Sequence, residues 1–306
     1  MRVGEAASSV DHHPSRDASS SASASAAVRI CPACGRETNH RSLYSLNGCD
    51  ILQCAQCGLG KTEVAAFDPA AYYTDAYFSG HYADGYADYL GAEPVLSREF
   101  ARMVDFLRRY CPGGKLIEIG CAYGFFLRQA MPHFDVAGIE LAADAAAHAR
   151  GSGLNVVTGI ADESTLTRLG PFDAIVMLDV IEHLPDPAAI FSLCARHLNP
   201  SGVVLITTGD FASLPARLAG RHWRLMTPPQ HLWFFTPASM GKLASGAGMQ
   251  VEALDHPGKV VPLSLILHQL RRMAGFGSSA QPRMSGVGVP VNLFDAMRVV
   301  IRKPSS

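Results

Sequence analysis

From Ser97 onward, short apolar runs alternate with stretches whose apolar residues recur at helical spacing. The runs are KLIEIG (115–120), DVAGIE (135–140), LNVVTG (154–159), FDAIVMLDV (172–180), GVVLITTG (202–209), QVEALDH (250–256) and AMRVVIRK (296–303). Each has the length and composition of a strand. REFARMVDFLRRY (98–110), the residues that follow Gly124, and AADAAAHAR (142–150) read as helices instead. Strands alternating with helices predict an α/β fold, with a parallel sheet and crossover helices.

Ahead of this alternation the pattern changes character. Residues 1–27 are Ser/Ala-rich, as in SSSASASAA, and carry few large apolar side chains to offset the entropy of ordering, which predicts a disordered tail. Residues 28–62 contain two Cys-x-x-Cys pairs. Residues 63–95 hold six of the nine tyrosines, and Tyr82, Tyr86 and Tyr89 fall at i, i+4 and i+7, on one helical face. That segment reads as a helical cover packed on the large domain, residues 96–306.

Composition narrows the function. A chain of 306 residues has room for one large domain and a small one. Its 48% apolar and 17% charged content is ordinary for a soluble globular enzyme. A net charge of -1 gives no electrostatic reason to expect nucleic acid as a partner. No run approaches the ~18 apolar residues of a membrane span. VVPLSLIL (260–267) is short, contains Pro262 and is followed by His268, Arg271 and Arg272. The N-terminus lacks the charged start and apolar core of a secretory signal, so the expectation is a cytoplasmic protein without membrane contact.

Of the eight cysteines, Cys111, Cys121 and Cys194 lie in apolar surroundings as small core residues. Cys31, Cys34, Cys54 and Cys57 are spaced Cys-x2-Cys-x19-Cys-x2-Cys, and a glycine follows each pair (Gly35 and Gly58). Four thiolates at this spacing suit tetrahedral zinc, and a closed four-sulfur site is structural. Cys49 and His40 are spare donors. Between residues 28 and 62, four Arg/Lys stand against two Asp/Glu, too weak an excess for a phosphate-binding face.

The glycine turn carries the first sign of chemistry. In LIEIGCAYGFFL (116–127) a strand ends at Gly120, where the backbone turns tightly, and Ala122 and Gly124 keep the next close-approach positions small. Phe125 stands where a dinucleotide fingerprint requires its last glycine, so the spacing is Glu118-x-Gly120-x-Ala122-x-Gly124. Glu140 ends the next strand, 20 residues beyond Gly120, where an acid can accept hydrogen bonds from a ribose diol.

IEIGCAYG, GIE, FDAIVMLDVIEHLPDP and NPSGVVLITT, in that order, resemble the class I S-adenosylmethionine-dependent methyltransferases, most closely bacterial small-molecule enzymes with text like PPQHLWFFTPASM after strand five. The resemblance runs from about residue 63 to the C-terminus. It implies a Rossmann-like sheet of seven strands with an antiparallel last strand, here preceded by the small zinc-ribbon module. It also implies that Glu118, Gly120, Ala122 and Gly124 belong to the loop under the methionine part of S-adenosyl-L-methionine. Glu140 would bind the ribose hydroxyls, Leu141 would pack on adenine, and Asp162 would meet the adenine amino group, with Ala161 and Glu163 competing for that place. Asp179 would lie beside the methyl-donor pocket, and Tyr77, Phe78 and Tyr82 would close it. The family often has glycine where this chain has Ala122.

Methyl transfer from a sulfonium is an in-line displacement that depends on positioning, and an acceptor that must lose a proton needs a base. Two histidines compete for that part. His183 lies just beyond strand four, at the carboxyl edge where α/β sheets bind ligands; Glu182 beside it either orients it or faces solvent. His231 lies in WRLMTPPQHLWFFT, where Trp223, Trp233, Phe234 and Phe235 could wall a pocket or pack as core. The leading expectation is transfer to a small-molecule acceptor, a glycan or secondary-metabolite precursor, with oxygen favoured over nitrogen or carbon. The alternatives are an RNA methyltransferase that reads RNA with its zinc ribbon, and a non-catalytic cofactor-binding protein.

Overall fold

The computed structural model describes residues 26–64, 89–262 and 288–304. The cover residues Tyr77, Phe78 and Tyr82 and nearly all of the 1–27 tail fall outside them. The tail's last two residues do not: Ala26 and Ala27 already pair with Arg41 and His40, respectively, in a strand.

The large sheet has seven strands: β5 (Gly114–Ile119), β6 (Phe134–Glu140), β7 (Asn155–Thr158), β8 (Phe172–Leu178), β9 (Leu198–Gly209), β11 (Gln250–Asp255) and β14 (Ala296–Arg302). Their spatial order is β11-β14-β9-β8-β5-β6-β7. β5 to β9 pair in parallel, while β14 runs antiparallel to both β9 and β11. This is the α/β sheet with a reversed last strand that the family resemblance implied.

The central strands are apolar on both faces because both faces are covered. Along β5, Leu116 joins a core with Val104, Leu107, Phe126 and Leu205, while Ile117 joins the opposite one with Ile175, Phe191 and Met240. The covering helices are α1 (Glu93–Leu107), α2 (Phe125–Ala130), α3 (Ala143–Gly151), α4 (Glu163–Leu169), α5 (Pro187–His197), α6 (Leu214–Ala219) and α7 (Pro237–Gly246). α1 starts five residues before the predicted segment, with Pro94 in its first turn. The apolar periodicity did not mark α4 to α7. Each opens on a polar side chain that accepts backbone N–H groups: Asp162, Asp186, Ser213 and Thr236.

The cysteine segment forms an antiparallel sheet of β1 (Ala26–Cys31), β2 (Arg36–Leu46), β3 (Cys49–Cys54) and β4 (Gly60–Glu63). A fifth strand, β10 (Trp233–Phe234), comes from the large domain and pairs with β4. Ile51 packs with Phe211, Trp223 and Phe234, and Cys57 and Leu59 join the core that contains Trp233 and Met240. The segment is therefore built onto the large domain. β12 (Lys259–Pro262) and β13 (Gly288–Val291) make a separate two-stranded ribbon. Among the described residues, no helix is long and apolar enough to cross a membrane.

Candidate active site

The site lies at the carboxyl ends of β5, β6 and β8, where a parallel sheet leaves its crevice. Gly120, Ala122 and Gly124 all have positive φ, at 75°, 46° and 77°. A Cβ on Gly124 would stand 2.4 Å from Leu154, so the turn is packed from below and only glycine fits. Ala122 carries its methyl in the left-handed region, which costs roughly 1–2 kcal/mol and explains why glycine is usual there.

Glu140 knits this turn to the next one. Its Oε2 accepts from Ala122 N at 2.7 Å and its Oε1 from Ala142 N at 2.8 Å. Burial pushes its carboxyl above the usual range, and these N–H groups oppose that shift. Glu118, 4% exposed, lies close enough that burial and the charge of Glu140 together push its carboxyl well up. Among the described residues, Glu118 Oε2 is buried without a hydrogen-bond partner. A buried acceptor of this kind calls for a donor or cation, which the ammonium group of a methionine moiety would supply. The turn thus fits the cofactor that the resemblance implied. Leu141 is half-buried at the end of β6. Asp162 is exposed and caps α4, its Oδ1 accepting from Thr165 N and Ser164 Oγ, so its capping role accompanies any contact with adenine.

The end of β8 supplies the second half of the site. A Cβ on Gly120 would stand 2.6 Å from Val180, so the glycine turn abuts the segment that follows β8. Asp179 takes a φ of 54° there, and Thr207 fixes it: Asp179 N donates to Thr207 Oγ1, which donates to Asp179 Oδ1 at 2.9 Å. A short turn of helix, Ile181–His183, follows. Glu182 is 5% exposed, so of its two readings the solvent-facing one is ruled out.

His183 and His231, from distant parts of the chain, meet with ring centroids 4.7 Å apart. His183 Nδ1 lies 3.0 Å from Gln230 O, and His231 Nδ1 lies 2.8 Å from Leu225 O. Each Nδ1 therefore carries the proton and each Nε2 the lone pair. Burial lowers the pKa of both; for His231, the neighbouring His183 helps bring it to about 3. Asp179 pulls the other way on both rings.

Loop 227–235 holds His231 and is clamped from two sides. Toward β8, Leu232 N donates to Glu182 O and Trp233 Nε1 to Leu184 O. Toward the cysteine segment, Thr62 Oγ1 donates to His231 O at 2.6 Å, Thr62 N to Leu232 O, and Asn47 Nδ2 to Pro228 O. Nothing in the sequence marks Thr62 or Asn47 for this task, because their partners lie some 170 residues away. Trp223, Trp233, Phe234 and Phe235 are buried and pack in the two cores next to the cysteine segment.

Cys31, Cys34, Cys54 and Cys57 present sulfurs that all lie within 4.8 Å of one another. Cys31 Sγ and Cys57 Sγ are 3.6 Å apart, and Cys34 Sγ and Cys54 Sγ 4.0 Å. Gly35 and Gly58 both take positive φ, which closes the two knuckles. Sharing a proton with Cys57 lowers the Cys31 thiol to about 5, and the same contact raises Cys57. Cys49 and His40 stand outside the cluster, bonded to Asn47 O and Thr38 O. This donor set fits a tetrahedral zinc site.

Tyr89, at the described end of the tyrosine-rich segment, stacks on Tyr123 and Phe125 and packs with Ala122 over the glycine turn.

Residues 95–254 match the family described as a methyltransferase domain. The chain is 29% identical over 156 residues to the ubiquinone biosynthesis O-methyltransferase of Thiobacillus denitrificans, covering 46% of this chain and 67% of that protein. It is 32% identical over 152 residues to the enzyme of the same name from Psychrobacter arcticus, covering 44% and 59%. Among solved structures, an Archaeoglobus fulgidus SAM-dependent methyltransferase superposes with a TM-score of 0.48 at 18% identity, covering 70% of this chain and 99% of that one.

Proposed function

The chain belongs to the methyltransferase-domain family and is a class I S-adenosylmethionine-dependent methyltransferase, and from that premise we propose that it methylates an oxygen of a small-molecule acceptor, activated by the histidine pair. S-adenosylmethionine supplies an electrophilic methyl group and leaves as S-adenosylhomocysteine. The acceptor's O–H loses its proton, the new O–C bond forms and the S–CH3 bond breaks.

One observation carries this reading. The glycine turn packs against Val180, so the cofactor turn and the His183 segment are neighbours at one sheet edge. Glu118 and Glu140 would bind and orient the cofactor, Asp179 would line the methyl-donor side, and Leu141 and Asp162 would serve the adenine end. His183 and His231, both held neutral, would face the acceptor; His183 would take up the proton at Nε2, and His231, brought down to about 3, would orient the His183 ring it packs against. Oxygen as the acceptor atom is supported by the names of the two curated relatives, each an O-methyltransferase.

We also propose that the four cysteines hold a structural zinc. It would cross-link a sheet whose fifth strand is part of the His231 loop, which gives the module a place in the enzyme without any contact with RNA. Calorimetry with S-adenosylmethionine, followed by mass-spectrometric screening of phenolic and sugar hydroxyl acceptors, tests the whole reading. A +14 mass shift that needs both chain and cofactor is expected; no cofactor binding to zinc-loaded protein would overturn it.

A further inference from the structure

Asp210 and His256 stand apart from the histidine pair yet share its sheet edge. Leu178 of β8, Thr207 of β9, Arg298 of β14 and Asp255 of β11 lie in one row across the sheet. Asp179 and His256 each follow that row by one residue, and the strand order sets them three strand spacings apart, or about 14 Å. Asp210 follows the row on β9 and is fixed beside Asp295, whose carbonyl accepts from Asp210 N. Both members of the pair therefore lie at the carboxyl edge, where such sheets bind ligands, on the side of Asp179 away from the glycine turn.

The pair has the chemistry of a receptor for a hydrogen-bond donor. Asp210 is 4% exposed; its Oδ1 accepts from Ala212 N, and its Oδ2 lies 2.8 Å from His256 Nε2. An ionised carboxylate only accepts, so Nε2 carries the ring proton and Nδ1 the lone pair. Among the described residues Nδ1 has no hydrogen-bond partner, and the His256 side chain is 29% exposed. A carboxylate behind an imidazole polarises it and strengthens the far nitrogen as an acceptor. Asn292 holds the arrangement, donating from Nδ2 to His256 O and accepting from Phe294 N at Oδ1. Phe294, and Leu214 four residues past Asp210, are large exposed apolar side chains. A few polar groups with apolar neighbours are the makings of a small-molecule subsite.

We propose that Asp210 and His256 form a subsite for the far end of the acceptor, where His256 Nδ1 accepts a hydrogen bond from a hydroxyl remote from the methylated oxygen. The inference rests on the methyltransferase reading for its purpose. The subsite selects the acceptor and takes no part in the loss of the reacting proton. The spacing from Asp179 matches an acceptor about two rings long, with a hydroxyl at each end.

The probes are biphenol with a hydroxyl at each para position and para-phenylphenol, which lacks one of the two. Calorimetry on the full-length chain, with and without S-adenosylhomocysteine, measures both. The parent should prefer the biphenol about tenfold, of which about twofold is the statistical advantage of two equivalent ends. His256→Gln can still donate to Asp210 but has no ring nitrogen to offer, and in it, as in His256→Ala, the preference should fall to that twofold. A tie that merely joins β9 to β11 predicts the parent's preference in His256→Gln. Retention of the full preference in folded His256→Gln therefore overturns the proposal, as does a parent that binds neither probe or shows only the statistical ratio. The two readings fail separately. A preference lost in His256→Gln without any S-adenosylhomocysteine binding would sink the methyltransferase assignment and leave the subsite standing; S-adenosylhomocysteine binding with no preference would do the reverse.

Discussion

His183 and His231 pack edge to face, and both donate their Nδ1 protons to carbonyls of the 225–230 stretch that leads to His231, Gln230 O and Leu225 O. The loop therefore sets the orientation of both rings at once. Replacing either histidine with alanine should lower kcat by about 10²-fold or more, the usual worth of a positioned proton acceptor. Affinity for S-adenosylmethionine should stay within twofold, because neither ring belongs to the glycine turn. Steady-state kinetics with calorimetry on the two variants check this; unchanged turnover in both would remove the pair from the chemistry.

Glu140 does two jobs with one carboxylate, bracing the turn through Ala122 N and opening α3 through Ala142 N. Glu140→Ala leaves both N–H groups without their acceptor, each worth about 1–3 kcal/mol when buried. Cofactor affinity should fall by at least tenfold and the melting temperature by several degrees. Glu140→Gln keeps one carbonyl acceptor and should fall between the two. Equal cofactor affinity in all three proteins would show that the acid has no part in the site.

Ala122 has φ of 46° and is 8% exposed, packed with Tyr89, Tyr123 and Phe125. Ala122→Gly would relieve left-handed strain of roughly 1–2 kcal/mol, but it would lose a buried methyl, about 0.8 kcal/mol, and gain unfolded-state entropy. These effects nearly cancel, so stability should change by less than about 1 kcal/mol. Ala122→Val puts a β-branched side chain in a region it rarely enters and should abolish cofactor binding. Paired thermal melts and calorimetry would show this asymmetry.

What the sequence made legible follows from locality. β5 to β8 and the glycine turn announce themselves because each is a continuous run whose apolar pattern or turn residue is set by its own neighbours. The four cysteines are legible for the same reason, since zinc-ligand spacing is a local pattern. The clamp on loop 227–235 is not, because Thr62 and Asn47 are ordinary strand and turn residues until folding brings their partners to them. Glu182 shows the limit within a single motif: a glutamate before a histidine reads equally as solvated or buried, and only the loop closing over it decides.

Asp295 anchors the start of β14 to residues 223–224. Its Oδ2 accepts from Trp223 Nε1 and Arg224 Nε at 2.9 Å, and its Oδ1 from Arg224 Nη2 at 2.8 Å. Burial alone would raise its pKa, but the hydrogen bonds from Arg224 and Trp223 and the guanidinium charge outweigh burial and hold it below the usual range. A carboxyl depressed in the folded state contributes stability that is fully present above its unfolded pKa of about 3.9 and is lost as pH falls through the folded value. Asp295→Asn should lower the melting temperature at pH 7, and the gap between variant and parent should narrow as pH drops below about 4. Melts across pH 3 to 7 give the answer; a constant gap would show that Asp295 acts through packing and not through its charge.

The cysteine segment should govern turnover without touching the cofactor. β4 reaches the His231 loop by way of Gly60, whose Cβ, if present, would stand 2.9 Å from Phe234 Cβ, and of Thr62, whose hydroxyl donates to His231 O. Thr62→Val removes one hydrogen bond, worth about 1 kcal/mol, and leaves the His231 carbonyl without that donor; Gly60→Ala pushes β10 away. Both variants should lower kcat or raise the acceptor KM several-fold while S-adenosylmethionine affinity holds, and both should speed amide exchange across residues 227–235. Removing the proposed zinc from the four cysteines with a thiol-directed reagent should have the same signature, only larger. Faster exchange confined to residues 26–64, with kinetics unchanged, would reduce the segment to an appendage.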